Sequence, residues 1–404
     1  MTGALKLGLA VGGPIAAGVL LLRLWIPTGD QVLEIAVAEE NGPVLRAAAN
    51  DFHKRHREIE VQLDERPYDD VHDYVFAAVN GTDRKIHYDA VMVDQPWVAA
   101  LRGGLAPLSV DGGGVFPESV LASLKSSGCG GPPDFACLVG MPYVGNSQLF
   151  AMNRRLLPAA KWPGDWNDVV DLARGFHAPS AYAYALRGKF DDESAVTDEF
   201  MPVFWAFSQN GRTSTFAAAA AAAHTLRSLA AASPSPLGVY ASYDVSALLL
   251  HGNIAMGMTW SDWAMRMTDA DPQAARDLEF GPMPGGAPEL GIWAIAIPRN
   301  TRHEKEAEEF VRFATTREEL KKSARNGNPP IRLDLFEDAE LAARYPTFKA
   351  QRESLIAART RPAGEHWHDC SEIKIAHALS GFYFGELMLA GSASGIREAL
   401  ATCR

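Results

Sequence analysis

The sequence predicts an α/β protein of two domains, and three observations carry that expectation. Between residues 31 and 94, apolar strands alternate with amphipathic helices in the order β-α-β-α-β. That order feeds strands into a parallel sheet through right-handed crossovers. The 404 residues exceed one ordinary core, so two domains are expected. Extended pieces flanked by Gly and Pro near 140–145, 290–298 and 328–334 read as places where the chain passes between the domains.

The elements follow in order. Val32–Val37 is an apolar strand, and Asn41 is placed to cap the next helix. In that helix Leu45, Ala48, Ala49 and Phe52 fall at i, i+3, i+4 and i+7, one apolar stripe. Ile59, Val61 and Leu63 alternate as the second strand. A helix over about 69–80 leads to Ala90–Val93, continuously apolar as a strand covered on both faces would be. Gly140 to Asn146 reads as the first crossing, and the same style resumes beyond it. Leu149–Met152 reads as a strand, Trp166–Phe176 as a helix, and Glu199–Asn210 as a helix carrying Trp205. The seven alanines of Ala217–Ala223 lie within Phe216–Ala232 and read as helix, alanine being the best helix former. Ser233–Leu237 breaks it. Asn253–Thr259 and Ile292–Ile297 are short buried strands. The helix 303–316 sets Ala307, Phe310, Val311 and Ala314 on one face, and after the breaker Asn326–Pro330 helices run to the end.

Composition removes some functions. A net charge of −11 argues against a nucleic-acid surface, because phosphates demand a basic face. Leu7 to Leu22 is an uncharged run between Lys6 and Arg23, well sized for a secretory h-region and marginal for a spanning helix. No Ala-x-Ala site follows before Asp30, and no cysteine precedes Cys129, so cleavage and retention both stay open. Residues 1–29 are expected to be a signal or membrane anchor, and the protein to be exported. The four cysteines fit export. Pairing nearest neighbours joins Cys129 to Cys137 around a Gly/Pro-rich loop and Cys370 to Cys403 near the C-terminus.

In open parallel sheets, ligands sit beyond the carboxyl ends of the strands. The groups there are Glu39, Glu40 and Asn41, then Tyr68 and Asp69, then Asp94, Gln95 and Trp97. Later, Asn253–Thr259 ends in Trp260, Asp262 and Trp263, and Trp293 opens the other short strand. Aromatic planes and carboxylates at the mouths of buried strands suit a concave small-molecule site. Each tryptophan could equally be core, and Glu39 and Glu40 could serve only as favourable charge at a helix N-terminus. No phosphate-binding loop, dinucleotide fingerprint or His-Glu-x-x-His occurs, and Ala393 stands where a nucleophile-elbow serine would be. His366-Trp367-His368-Asp369-Cys370 reads as a polar loop that brings Trp367 near the ligand, since a bridged Cys370 is no metal ligand. No cofactor, metal or catalytic residue is expected.

A series of motifs now points to a family. It runs from Phe52-His53-Lys54-Arg55-His56 before an Ile-x-Val strand, through Tyr88-Asp89-Ala90-Val91-Met92-Val93-Asp94 and Gly104-Leu105-Ala106-Pro107-Leu108. Met141-Pro142-Tyr143, Met152-Asn153-Arg154 and His251-Gly252-Asn253-Ile254-Ala255-Met256-Gly257-Met258 follow. Gly291-Ile292-Trp293-Ala294-Ile295 before the Glu304–Phe313 helix, and Gly391 through Leu400, complete it. In this order they resemble the extracellular solute-binding proteins of carbohydrate ABC importers, the maltose-binding-protein-like class, over about 31–404. The resemblance implies a two-lobed, periplasmic-binding-protein-like fold, each lobe a mostly parallel sheet flanked by helices, with hinge crossings and a central cleft. It divides the chain into 31–141 plus 295–330 and 142–294 plus 331–404. It adds Tyr143, Asn146, Gly291 and Trp367 to the cleft, and Trp205 joins them as a further candidate.

The implied activity is high-affinity binding of a sugar or polyol, without turnover, in the periplasm or on the outer face of the cytoplasmic membrane. Lobe closure then delivers the solute to an ABC transporter permease. The chemistry agrees: pyranose C–H faces stack on Trp and Tyr, while Asp, Glu and Asn bond hydroxyls, with charge-assisted bonds the stronger ones. The same acidic groups would also suit an amine-bearing ligand. Two rival readings are a glycoside hydrolase using two carboxylates among Glu39, Glu40, Asp94 and Asp262, ~5–9.5 Å apart, and a ligand-sensing module for a membrane partner. The bridged loop 129–137 and the absent lipoprotein cysteine depart from the family pattern.

Overall fold

The first strand, β1 (Gln31–Ala38), buries Leu33 and the apolar run Ile35–Ala38, while Glu34 stays exposed. It pairs in parallel with β2 (Ile59–Arg66) on one side and β3 (Ala90–Asp94) on the other. The structure is a computed structural model that describes residues 31–110, 113–129, 136–188, 193–362 and 366–403. The expected N-terminal signal or anchor lies outside the described residues. Six further strands follow: β4 (Leu108–Val110), β5 (Ala136–Leu138), β6 (Met141–Asn153), β7 (Met256–Trp260), β8 (Leu278–Gly281) and β9 (Leu290–Ala296). The main sheet runs β2-β1-β3-β9-β6-β7 with β8 on β6, and β4 pairs with β5 apart from it.

Only the first part of that sheet is parallel. β9 lies antiparallel to β3, with Trp293 opposite Asp94, and β6 lies antiparallel to β7, β8 and β9. The expectation of a second mostly parallel sheet gives way to an antiparallel one because of β6. Residues 141–146 of the stretch read above as a connector join Leu149–Met152 in one strand of 13 residues that leaves the first core and enters the second. β9 returns beside it in the opposite sense.

The helices form where the stripes predict them. In Gly42–Arg55, Pro43 supplies a preset φ in the first turn, Leu45, Ala48, Ala49 and Phe52 are buried, and three basic residues occupy the last turn, where they complement the helix dipole. Asn41 makes no capping bond, contrary to its expected role. Tyr68–Asn80 starts after Pro67 and ends at Gly81 in the left-handed conformation.

The first core gathers β1–β3, β9 and the helices around them. Leu335, Tyr345, Phe348 and Leu355 of the segment after residue 330 pack continuously with it. The second core is built on Phe150, Met152, Met256 and Met258, covered by the alanine-rich helix Thr215–Ala230. Ala218, Ala219, Ala222 and Ala223 of that helix are buried, so neighbouring helices approach its backbone closely. Both expected disulfides are formed, Cys129–Cys137 and Cys370–Cys403. Among the described residues no helix is long and apolar enough to cross a membrane.

Candidate functional site

The carboxyl ends of β1, β2 and β3 open onto a cleft of about 640 Å³. Glu39, Glu40 and Asn41 follow β1, Pro67, Tyr68 and Asp69 begin the helix after β2, and Asp94 closes β3. Facing them are Asn146 of β6, Ser242 and Tyr243, and the group Trp260, Asp262, Trp263 and Arg266 after β7. Gly291 and Trp293 of β9, with Arg361 and His368, add to the lining. A larger groove of about 820 Å³ around Phe176–Pro179 and Tyr182 holds none of the expected residues.

Hydrogen bonds hold the far wall. Asn146 Nδ2 donates to Asp262 Oδ1 at 3.0 Å, while its own Oδ1 accepts from Ser261 Oγ at 2.7 Å and from the Asp262 N–H at 3.2 Å. One β6 side chain thus orients the start of the helix Ser261–Ala270. Gly291 lets Trp260 lie over β9, because a Cβ there would stand 2.9 Å from the indole ring. Trp263 carries Arg266 over one face at 4.9 Å and meets Tyr243 at 6.2 Å.

On the near side Tyr68 donates its hydroxyl to Asp94 Oδ2 at 3.0 Å, and the Gln95 N–H bonds Oδ1 at 2.7 Å. Arg361 stands behind, 3.3 Å from Asp94, 2.9 Å from Glu289 and 3.3 Å from Glu372. Three enclosed carboxyl groups share one guanidinium, which cannot neutralise them all. Burial, reinforced by Asp198 and opposed by Arg361, pushes Glu289 well above the usual carboxylate range. Burial also raises Asp94 against the pull of Arg361. Glu372 stays low despite its burial, held by bonds from His368 and the Trp367 indole and by the Arg361 charge. Asp262 is raised by burial against Arg266 and Asn146.

Glu40 lines the cleft with its side chain exposed to solvent. Desolvation, then the charges of Asp94, Asp262 and Glu39, pushes its carboxyl up to about 7. Asn41 and Asn328 also line the cleft, 3% and 4% exposed, and neither side-chain nitrogen has a hydrogen-bond partner among the described residues. Buried amide donors without partners are costly unless something fills the space before them.

Residues 36–321 match the family described as bacterial extracellular solute-binding protein. The chain belongs to that family. Its fold is shared with solved binding proteins of low identity. The maltose-bound MalE3 of T. maritima is 19% identical, with a TM-score of 0.78 over 92% of this chain and 99% of that one. A solute-binding protein of Thermotoga lettingae bound with α-D-tagatose is 18% identical, with a TM-score of 0.76 over 92% and 100%. A ribitol complex from Agrobacterium radiobacter K84 is 17% identical, with a TM-score of 0.75 over 92% and 98%. The two-lobed fold of these neighbours is the one found here.

Within this solute-binding fold the expected residues divide. Glu39, Glu40, Asn41, Tyr68, Asp94, Asn146, Trp260, Asp262, Trp263, Gly291 and Trp293 line the cleft. Gln95, Trp97, Tyr143, Trp205 and Trp367 do not. A short 3-10 turn after β3 tucks Gln95 and Trp97 into the core, where Trp97 backs Tyr68 at 5.2 Å and Trp293 at 5.4 Å. Val144 and Asn146 face the cleft from β6, so Tyr143, one residue before Val144, faces away, toward Ser323. Trp205 packs on the second core. Trp367 is buried and reaches the site only through Glu372.

Tyr243, Arg266, Asn328 and Arg361 are cleft residues that the sequence reading did not select. Arg266 had a signal, lying one helical turn after Asp262. Arg361 had none, since only the fold brings it to Asp94. Two of the four carboxyl groups of the hydrolase reading are engaged as fixed acceptors, Asp94 by Tyr68 and Arg361 and Asp262 by Asn146. That arrangement suits binding, as the family does.

Proposed function

We propose that the protein captures a sugar or polyol outside the cytoplasmic membrane, in the periplasm or on that membrane's outer face. Closure of the lobes then presents the solute to an ABC importer permease. One observation carries the reading: the cleft combines aromatic faces at Trp260, Trp263 and Trp293 with fixed acceptors at Asp94 and Asp262 and unpaired amides at Asn41 and Asn328. Flat rings suit the C–H faces of a sugar, and oriented polar groups suit its hydroxyls. Neighbours in fold hold maltose, α-D-tagatose and ribitol, which is compatible with such a ligand.

A thermal-shift screen of mono-, di- and oligosaccharides and polyols tests it. A ligand bound only by the native state adds about 2.7 kcal/mol of apparent stability at a hundredfold excess over Kd. Stabilisation by sugars or polyols, confirmed by calorimetry, supports the reading. No shift across the panel, with clear shifts from amino acids or peptides, would overturn it.

A further inference from the structure

The cleft is far more acidic than a neutral sugar requires. Glu39, Glu40, Asp69, Asp94 and Asp262 line it, and among the described lining residues the guanidinium groups are Arg266 and Arg361. Both are engaged already. Arg361 is enclosed by Asp94, Glu289 and Glu372, and Arg266 stands 3.7 Å from Asp262. Among the described residues no cation lies within ion-pair distance of Glu39, Glu40 or Asp69. The negative excess therefore collects at the mouth, around Glu40.

We propose that the solute is a hydroxylated molecule bearing a protonated amine, an amino sugar or amino polyol, whose ammonium group sits beside Glu40. This rests on the cleft being the solute site. Asn41 and Asn328, nine-tenths buried lining residues whose amide nitrogens have no partner among the described residues, independently mark this part of the cavity as polar. The aromatic faces of Tyr243 and Trp263 favour a cation as much as a sugar ring. Among the described residues no three acidic, His or Cys side chains converge as a metal site.

Proton linkage follows. The groups facing Glu40 are Glu39 beside it in the chain, Asp94 at the end of β3 and Asp262 on the helix Ser261–Ala270, with Arg361 and Arg266 behind the latter two. Tyr68 and His368 complete the lining nearby. In the empty cleft the Glu40 carboxyl titrates at about 7. An ammonium beside it favours the carboxylate, so binding releases that proton to solvent while the ligand keeps its own. Affinity then rises as pH climbs through about 7.

Isothermal titration with matched pairs differing only in the amine tests this: glucosamine with glucose, glucamine with sorbitol, and the β-1,4 glucosamine disaccharide with cellobiose. The expected result is that the amine member of a bound pair binds at least about tenfold tighter near neutral pH, a difference of ~1.4 kcal/mol. Its heat should also vary with the ionisation enthalpy of the buffer, reporting proton release. Glu40→Gln, checked for folding by its melt, should cut the preference to about threefold or less. Equal or tighter binding of the neutral members overturns the inference and leaves the sugar or polyol reading standing. No binding by any of the six overturns it as well, and a wider screen that is also negative removes both. A preference that survives Glu40→Gln overturns the assignment to Glu40.

Discussion

Trp263 and Trp97 are the same residue type in opposite roles, and their burial separates them. Trp263 is half-buried in the cleft, whereas Trp97 is 1% exposed beneath Tyr68 and Trp293. Trp263→Ala should weaken solute binding by ~30-fold with little change in melting temperature. Trp97→Ala should instead cost ~3–5 kcal/mol of stability. Calorimetry and melts on the two variants check this, and equal stability losses would place Trp263 in the core. Glu40 gives a pH prediction. Its folded value of about 7 lies above the ordinary 4.5, so the contribution of its bound proton is complete below 4.5 and is lost as pH rises through about 7. Glu40→Gln should therefore melt above the parent at about pH 8, with the advantage shrinking toward about pH 5. An advantage independent of pH would contradict the linkage. At this scale the sequence was legible where a polar residue ends a strand: Glu40, Tyr68 and Asp94 are found this way. It misled where a 3-10 turn follows the strand, because Trp97 then rotates inward. Arg361 was illegible, since its partners lie 267, 72 and 11 residues away in the chain (361 − 94, 361 − 289, 372 − 361).

Among the elements, the disulfides differ in what they restrain. Cys370–Cys403 spans 33 residues and ties the C-terminal end of the helix Leu389–Thr402 to the segment Trp367–Glu372, which supplies His368 and Glu372 to the cleft region. Cys129–Cys137 spans 8, and neither cysteine lines the cleft. Replacing Cys370 and Cys403 with Ser should cost ~3–4 kcal/mol, against ~2–3 kcal/mol for the short bridge. Only the long bridge should also affect solute affinity. Urea melts and titrations on both double variants decide this, and a larger stability loss from the short bridge would contradict it. The strands and helices of residues 31–94 were legible because each obeys one clean period. β6 was not, because Pro142 and Gly145 look like connector residues although hydrogen bonding to β9 keeps the chain extended there.

For the molecule as a whole, the crossing region is where the chain passes between the two cores. β6 and β9 run side by side through it, and the segment at Pro329–Ile331 packs against them. The Gly145 N–H donates to the Pro329 carbonyl at 3.1 Å. A Cβ at position 145 would stand 2.3 Å from the Pro330 carbonyl oxygen and 2.6 Å from the Ile331 Cα, both backbone atoms with no freedom to yield. Gly145→Ala should push these segments apart, at ~1–3 kcal/mol of stability, and shift the balance between open and closed forms. Small-angle scattering with and without solute, beside a titration, checks it. Unchanged scattering and unchanged affinity would show that the crossing does not govern closure.

The continuity of β6 has a mechanical consequence. One strand belongs to both cores, so opening flexes a bonded ribbon like a leaf spring, with no slack tether to absorb the movement. Whatever elastic energy the ribbon stores in the binding-competent shape is subtracted from the intrinsic affinity, since apparent affinity scales with the population of that shape. Stiffness at Gly145 and Pro330 can therefore set how readily the solute is surrendered, while the cleft residues set which solute is taken. Recognition and release become separately adjustable properties of one chain.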